Sequence, residues 1–207
     1  MTSIEIETPH GPAVAHLHPA SDPVGALVLG HGAGGGVGAP DLVAATGAAV
    51  SLGVSVALVE QPYRVAGRRS PAPAHQLDAA WIAVVQALLA GALQGLEHVC
   101  GGRSSGARVA CRTAAATGAA GVLCLAFPTQ PPQRRGQARA PDRVFELEAV
   151  SVPVLIVQGE GDPFGMPPAA PGRDIVAVRG NHSLRSDVKA LTCAVEAWIP
   201  RILAPAG

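Results

Sequence analysis

Six short, almost continuous apolar runs dominate the sequence from residue 24 onwards. Runs of this length are typical of strands that are buried on both faces of a parallel sheet. They are VGALVL (24–29), VSVALVE (54–60), LEHVC (96–100), AGVLCLAF (120–127), VPVLIVQ (152–158) and DIVAV (174–178). Helical patterns lie between most of them, so helices are expected on both faces of the sheet. The alternation predicts an α/β fold.

Helical patterns occupy 39–53, 76–91 and about 104–117, and Gly53 and Gly91 are expected to end the first two. A fourth helix is predicted over 184–203, where apolar residues recur at steps of three and four. Its stripe consists of Leu184, Val188, Leu191, Val195, Trp198 and Ile202.

The first twenty residues follow a different pattern from the rest of the chain. SIEIE (3–7) and AVAHLH (13–18) alternate polar and apolar residues, and the segment between them reads TPHGP. Alternation around a turn predicts an antiparallel hairpin with one face in water. Together with the apolar runs it gives a mostly parallel sheet of about eight strands in a single domain over 1–207.

Composition limits which binding partners and which cellular compartment are expected for this chain. Apolar residues make up 48% and charged residues 14%, so the chain can form a sizeable core. The net charge is zero, so neither nucleic acid nor a membrane surface is an expected partner. No C-x-x-C pair, signal peptide or membrane-length apolar run is present. We therefore expect no metal and no other cofactor, buried free thiols, and a cytoplasmic location.

The glycine-rich segment VLGHGAGGGVGAP (28–40) admits two interpretations. Gly30, Gly32 and Gly35 match G-x-G-x-x-G, and Glu60 lies where a ribose contact would be needed, which together suggest a dinucleotide site. The same loop, from His31 to Gly34, also fits an oxyanion hole. The surrounding residues have to decide between them.

The segment GRSSG (102–106) matches G-x-S-x-G and lies between an apolar strand and a helix. This is the context of a nucleophile elbow, in which a serine occupies a strained turn and its neighbours two residues away lack a Cβ. Ser104 is therefore the candidate nucleophile. The alternative is a glycine-rich turn without chemistry.

A nucleophilic serine needs a base, and the base needs a carboxylate to orient it. Asp162 and His182 each follow a predicted strand, so both are expected at the same sheet edge as Ser104. The order Ser, Asp, His along the chain is that of the α/β-hydrolase triad. Glu160 is a weaker candidate acid, and His31 is a candidate base only if its loop lies beside Ser104.

Two connections, 61–75 and 128–151, are poorly patterned and follow strand ends. With only about twenty residues available between the sixth and seventh strands, a full helical lid is not expected. We predict an open, shallow site lined by His31, Tyr63, Arg64, Phe127 and Phe164.

Five segments together resemble the α/β-hydrolase superfamily, and the resemblance spans essentially the whole chain. They are LGHGAGGG, EQPYR, GGRSSGARVA, VQGEGDPFG and GNHSL. More narrowly, the chain is similar to a small branch related to dienelactone hydrolases and to testis-expressed-protein-30-like and NSL-complex-subunit-3-like hydrolases. The resemblance implies a three-layer fold with a minimal lid or none. Dienelactone hydrolases use a cysteine where this chain has Ser104, so their lactone substrate does not carry over.

The resemblance implies acyl transfer through Ser104, His182 and Asp162. An oxyanion hole needs two backbone N–H donors, which are expected from Ser105 and from either Ala33 or Gly34. The sequence thus predicts a serine hydrolase for a small-molecule ester or thioester, with homo-oligomerisation left open. The alternatives are a catalytically silent interaction scaffold and an NAD(P)-binding Rossmann oxidoreductase.

Overall fold

The computed structural model describes residues 2–130 and 141–203. Its strands are β1 (Thr2–Ile6), β2 (Ala13–His18), β3 (Gly25–Gly30), β4 (Val54–Glu60), β5 (His98–Arg103), β6 (Gly121–Leu125), β7 (Val154–Gly159) and β8 (Arg173–Val178). Its helices are α1 (Pro40–Ser51), α2 (Pro62–Val65), α3 (Ala74–Ala90), α4 (Ser105–Thr117), α5 (Val144–Glu148) and α6 (Val188–Ile202). Each predicted apolar run overlaps a strand.

The strands form one sheet in the order β1-β2-β4-β3-β5-β6-β7-β8. β1 and β2 pair antiparallel, and β2 joins the rest by an antiparallel pairing to β4. All pairings from β4 through β8 are parallel. The predicted fold, a mostly parallel sheet with an N-terminal hairpin, is confirmed. The carboxyl ends of β3, β5, β7 and β8 therefore meet at one edge, where loops can share a site.

Two apolar layers cover the sheet, one on each face. Trp81 of α3 lies in one layer with α4 residues such as Val109, and Trp198 of α6 lies in the other with α1 residues such as Leu42. Both tryptophans are almost completely buried. The helices thus sandwich the sheet in three layers.

The final helix begins later than the sequence pattern predicted. α6 starts at Val188, because the Asp187 side chain caps it by accepting a hydrogen bond from the backbone N–H of Ala190 at 3.3 Å. Leu184 belongs to the preceding loop and has a φ of 50°. Its side chain is nevertheless buried, which explains why it fitted the apolar stripe.

The connections without a clear pattern contain two short helices that the sequence analysis did not predict. α2 lies after β4 and α5 lies between β6 and β7, and neither exceeds five residues. Residues 131–140 of the second connection, part of the long loop predicted there, lie outside the described residues. In the described part of this connection, α5 is the only helix.

Cys100, Cys111 and Cys124 are buried free thiols, as expected, and the Sγ atoms of the last two lie 3.5 Å apart. Cys193 is exposed, which corrects the expectation that all four are buried. It lies on the outer surface of α6, away from the apolar stripe that packs on the sheet. Within the described ranges, none of the helices is long and apolar enough to cross a membrane.

Candidate active site

Ser104 occupies a sharp turn between β5 and α4. Its backbone has a φ of 52° and a ψ of −105°, a strained conformation for a residue with a side chain. A Cβ added at Gly102 or Gly106 would collide with the backbone of Gly30 on the neighbouring strand β3. The two glycines are thus required by close packing, and the turn projects Ser104 above the sheet edge.

A chain of hydrogen bonds links Ser104, His182 and Asp162. His182 Nε2 lies 2.9 Å from Ser104 Oγ, and His182 Nδ1 lies 2.8 Å from Asp162 Oδ2. An ionised carboxylate only accepts hydrogen bonds, so Nδ1 carries the proton of the neutral ring. Nε2 is then free to accept the serine proton. The structure brings the three predicted residues together with the connectivity that an activated nucleophile needs.

The Asp162 carboxylate is fixed by further hydrogen bonds. Its Oδ1 accepts from the backbone N–H of Phe164 at 2.9 Å, and its Oδ2 accepts from Gln158 Nε2 at 2.8 Å. Gln158 is completely buried, and the two hydrogens on its Nε2 are shared among Asp162 and the carbonyl oxygens of Phe127 and Gly165. Sequence reasoning missed Gln158, although a polar residue at the end of the apolar run VPVLIVQ was a visible signal.

His182 is also held from two other sides. The ring of Phe164 packs edge-on against the imidazole, with centroids 4.5 Å apart. Arg103 Nη2 donates to the carbonyl oxygen of His182 at 3.0 Å. These contacts restrict the ring to the orientation in which it meets both Ser104 and Asp162.

Arg103 and Asp41 form an ion pair that the sequence analysis did not identify. Arg103 Nε lies 2.8 Å from Asp41 Oδ2, and Asp41 is completely buried. Burial raises the pKa of Asp41, and the charge of Arg103 opposes that rise. The Arg103 guanidinium would clash with a Cβ at Gly32, so it packs directly against the glycine loop. Arg103 therefore joins that loop, α1 and the loop of His182.

His31 fixes the first peptide of the glycine loop. Its Nε2 accepts from the backbone N–H of Gln61 at 3.1 Å, so the ring proton is on Nδ1, which donates to the carbonyl of Gly32 at 2.8 Å. Burial lowers the pKa of His31 and favours this neutral form. In a trans peptide the N–H points opposite to the carbonyl. The N–H of Ala33 is thereby turned away from His31.

Tyr63 fixes the next peptide in the same manner. Its hydroxyl donates to the carbonyl oxygen of Ala33 at 3.0 Å, so the N–H of Gly34 points away from Tyr63. Ser105 is the first residue of α4, and its N–H has no acceptor within the helix. The N–H groups of Ala33 and Gly34 are thus both candidates for the second oxyanion donor beside Ser105. His31 orients the first and Tyr63 orients the second.

A half-open cleft of about 570 Å³ lies over Ser104. It contains the predicted nucleophile, base and oxyanion residues together with Phe164. Its described lining consists of Ala33, Gly34, Pro71, Arg103, Ser104, Ser105, Arg108, Pro128, Arg143, Phe164 and His182. The volume suits a small organic substrate.

Four of the five predicted substrate-lining residues do not line this cleft, so those predictions are corrected. His31 and Phe127 are buried, since each lies at the end of a central strand. Tyr63 is also buried and turns its hydroxyl to Ala33, and Arg64 reaches the carbonyl of Arg68 at 3.4 Å. Only Phe164 lies in the cleft wall. Apolar or aromatic character after a strand did not distinguish a wall residue from a core residue.

The glycine loop lacks the geometry of a dinucleotide site. In that motif the glycines form a tight turn from strand to helix, and the third one permits close helix–strand packing. Here α1 begins only at Pro40, five residues beyond Gly35, and a Cβ at Gly35 would approach nothing closer than 4.0 Å. Glu60 instead pairs with His16 at 3.2 Å. Among the described residues, no group of three His, Cys, Asp or Glu side chains could hold a metal ion.

Comparisons with known proteins agree with this architecture. A family model described as "Alpha/beta hydrolase domain" matches residues 23–187. No protein of curated function matches the sequence.

Similar solved structures include a serine hydrolase without a lid from Xanthomonas campestris, at a TM-score of 0.77 and 18% identity over 100% of this chain and 96% of that one. Est1E from Butyrivibrio proteoclasticus has a TM-score of 0.78 and 15% identity over 99% and 100% of the two chains. Dienelactone hydrolase from Anabaena variabilis has a TM-score of 0.75 and 14% identity over 97% of each. At these identities the likeness concerns the fold.

Proposed function

The chain belongs to the alpha/beta hydrolase domain family, and from this premise we propose that it is a serine hydrolase. Its substrate is a carboxylic ester or thioester with a small acyl group, and the reaction passes through a covalent acyl-enzyme. One observation carries the proposal: the hydrogen bonds of 2.9 Å and 2.8 Å that connect Ser104 through His182 to Asp162. The narrower kinship with testis-expressed-protein-30-like and NSL-complex-subunit-3-like hydrolases is part of the same proposal.

In the first half of the reaction, Ser104 Oγ attacks the carbonyl carbon and its proton passes to His182 Nε2. Asp162 stabilises the imidazolium that forms. The negative charge on the former carbonyl oxygen is stabilised by the N–H of Ser105 and by that of Ala33 or Gly34. The intermediate then collapses, and the alcohol or thiol leaves with the proton from His182.

In the second half, water replaces the leaving group in the cleft. His182 Nε2 accepts a proton from this water as its oxygen attacks the acyl carbon. Collapse of the second tetrahedral intermediate breaks the bond to Ser104 Oγ, and His182 returns the proton to that oxygen. The products are the carboxylic acid and the free enzyme.

A fluorophosphonate probe tests the assignment of the nucleophile. We expect stoichiometric labelling of the native protein, none of Ser104→Ala and a sharp loss in His182→Ala, because the probe reacts with a serine whose proton a base accepts. Hydrolysis of 4-nitrophenyl butyrate should fall by at least about a thousandfold in both variants. Ser151→Ala changes an exposed serine outside the cleft and should leave both measurements unaltered.

Three results would contradict the proposal. Labelling that persists in folded Ser104→Ala would assign the nucleophile to another residue. A folded native protein that is neither labelled nor active on esters and thioesters would favour an interaction scaffold. Thermal stabilisation by NAD(P) would favour the dinucleotide interpretation.

A further inference from the structure

Arg143 lies in the wall of the cleft that contains Ser104 and His182. It is half-buried, and within residues 2–130 and 141–203 its guanidinium forms no ion pair and no side-chain hydrogen bond. Its backbone is engaged instead: the N–H donates to the carbonyl of Thr129 at 2.8 Å, and the carbonyl accepts from the N–H of Glu146 at 3.1 Å. A partly desolvated guanidinium without a counter-ion is costly, so a charge at this position calls for a ligand that supplies one.

The buried carboxylate whose charge acts on Arg143, that of Glu146, is already engaged. Glu146 receives two hydrogen bonds from Arg108, at 2.8 Å and 2.6 Å, and one from Arg112 at 3.0 Å. Arg112 also forms two hydrogen bonds with Asp78, at 2.8 Å and 2.6 Å. Arg108 and Arg112 thus occupy both carboxylates, and the third guanidinium, that of Arg143, is left over.

No other part of the wall, as far as the described residues form it, offsets this charge. Arg103 is matched by buried Asp41, and none of the described lining residues is acidic. Burial and the neighbouring charges of Arg108 and Arg112 lower the pKa of Arg143, and the charge of Glu146 opposes this fall. The cleft therefore carries an excess positive charge beside the nucleophile.

We propose that the substrate carries an anionic group, a carboxylate or a phosphate, which Arg143 binds in the cleft while Ser104 attacks the ester or thioester carbonyl. This inference rests on the proposed function and specifies its substrate class. A guanidinium presents parallel N–H donors that match two oxygens of one anion. Arg143 would therefore select a negatively charged substrate and also fix its position in the cleft. Arg143 is then a specificity-determining residue. It takes no part in the proton transfers.

The test compares esters of similar length that differ in charge. We expect kcat/KM for 4-nitrophenyl hemiglutarate to exceed that for 4-nitrophenyl pentanoate. In Arg143→Gln the ratio of the two values should fall by about 10- to 100-fold, which is the contribution of a hydrogen-bonded ionic contact. Arg143→Lys keeps the positive charge but lacks the parallel N–H donors of a guanidinium, so it should retain part of the preference for the anionic ester. Arg201→Gln removes an exposed, paired arginine distant in sequence and should leave the ratio unchanged.

Further experiments determine which side of the ester carries the anionic group and whether that group is a carboxylate or a phosphate. 4-Carboxyphenyl pentanoate puts the carboxylate in the leaving group, so dependence on Arg143 there would place the anion on the alcohol side. Competition of hemiglutarate hydrolysis by glutarate and by inorganic phosphate distinguishes a carboxylate from a phosphate preference. In Ser104→Ala, binding of monomethyl glutarate measured by NMR titration should weaken by about 10-fold or more when Arg143→Gln is added.

The failures of the two proposals are distinguishable. If pentanoate is hydrolysed as well as the anionic esters, or if Arg143→Gln leaves the ratio unchanged, the anionic substrate is wrong and the hydrolase proposal stands. If no ester is hydrolysed and no probe labels Ser104, the hydrolase proposal fails. The NMR titration then still decides whether Arg143 binds an anion.

Discussion

At the scale of single residues, the site depends on buried polar side chains that hold one another by hydrogen bonds and ion pairs. Gln158 supplies donors to Asp162 and to two carbonyls, and Arg103 pairs with Asp41 while holding the carbonyl of His182. Removal of one partner leaves the other desolvated and unpaired, which is more costly than the loss of an exposed contact. These residues position the triad without touching the reacting atoms.

His31 gives the pH dependence of stability a definite sign. Its pKa is lowered in the folded state, mainly by burial, whereas the unfolded residue titrates near its ordinary value of 6.5. As the pH falls through that value, the unfolded state gains a proton that the folded state resists, so the free energy of unfolding decreases. His31 therefore stabilises the fold above its ordinary pKa, and this contribution is lost in acid.

We expect His31→Gln to be less stable than the native protein at about pH 7.5 and to differ from it less at about pH 5. Urea denaturation at the two pH values measures the difference. His18 and His98 also have lowered pKa values, but they are present in both proteins and cancel in the comparison. A difference that grows in acid would show that His31 is not neutral in the folded state.

At the scale of elements, the turn from β5 to α4 is set by how closely α4 approaches β3. Gly106 in the first turn of α4 lies against the backbone of Gly30 and His31. This contact brings the N–H groups at the start of α4 beside the glycine loop. The G-x-S-x-G pattern predicted the turn, while the packing partner of its glycines became evident only when the two strands were adjacent.

We expect Gly106→Ala to destabilise the protein by about 1–3 kcal/mol, because its Cβ would overlap the Gly30 backbone. Gly47→Ala is the matched control, since Gly47 lies within α1 and has nothing within 4 Å of an added Cβ. That change should stabilise by about 0.5–1 kcal/mol, because alanine favours a helix. Chemical denaturation of both variants gives the two values, and equal effects would argue against a close approach at Gly106.

At the scale of the whole molecule, the two helical layers depend on one sheet. Trp81 and Trp198 lie in opposite layers, and each packs against residues of the central strands. Neither layer can bury its apolar face without the sheet, so both should be lost together. The prediction that 1–207 forms a single domain therefore means that both layers unfold in one transition.

Two single-tryptophan variants test that prediction. Trp81→Phe leaves Trp198, which reports on the layer of α6, and Trp198→Phe leaves Trp81, which reports on the layer of α3. We expect the fluorescence and far-ultraviolet circular dichroism of each variant to change at the same urea concentration. Separate transitions would show that the faces of the sheet unfold independently.

Periodicity and turn-forming residues in the sequence were sufficient to predict the strands, the hairpin and the order of the candidate triad. They failed where a residue's neighbours are distant along the chain. Leu184 fitted a helical stripe but lies in a loop, and Phe127 and Tyr63 were expected in the site wall but are buried. An apolar side chain at the end of a strand carries the same local signal in either position.

The sequence by itself determined which backbone segments become strands and which side chains follow them, because that information is local. Only the tertiary structure decided which of those side chains share a cleft. It placed Gln158 behind Asp162, Arg103 between Asp41 and His182, and Arg143 in the cleft wall without a counter-ion among the described residues. Arg103 lies 62 residues from Asp41 and 79 from His182 in the sequence, and contacts over such separations form only when the sheet and its two helical layers close over one another.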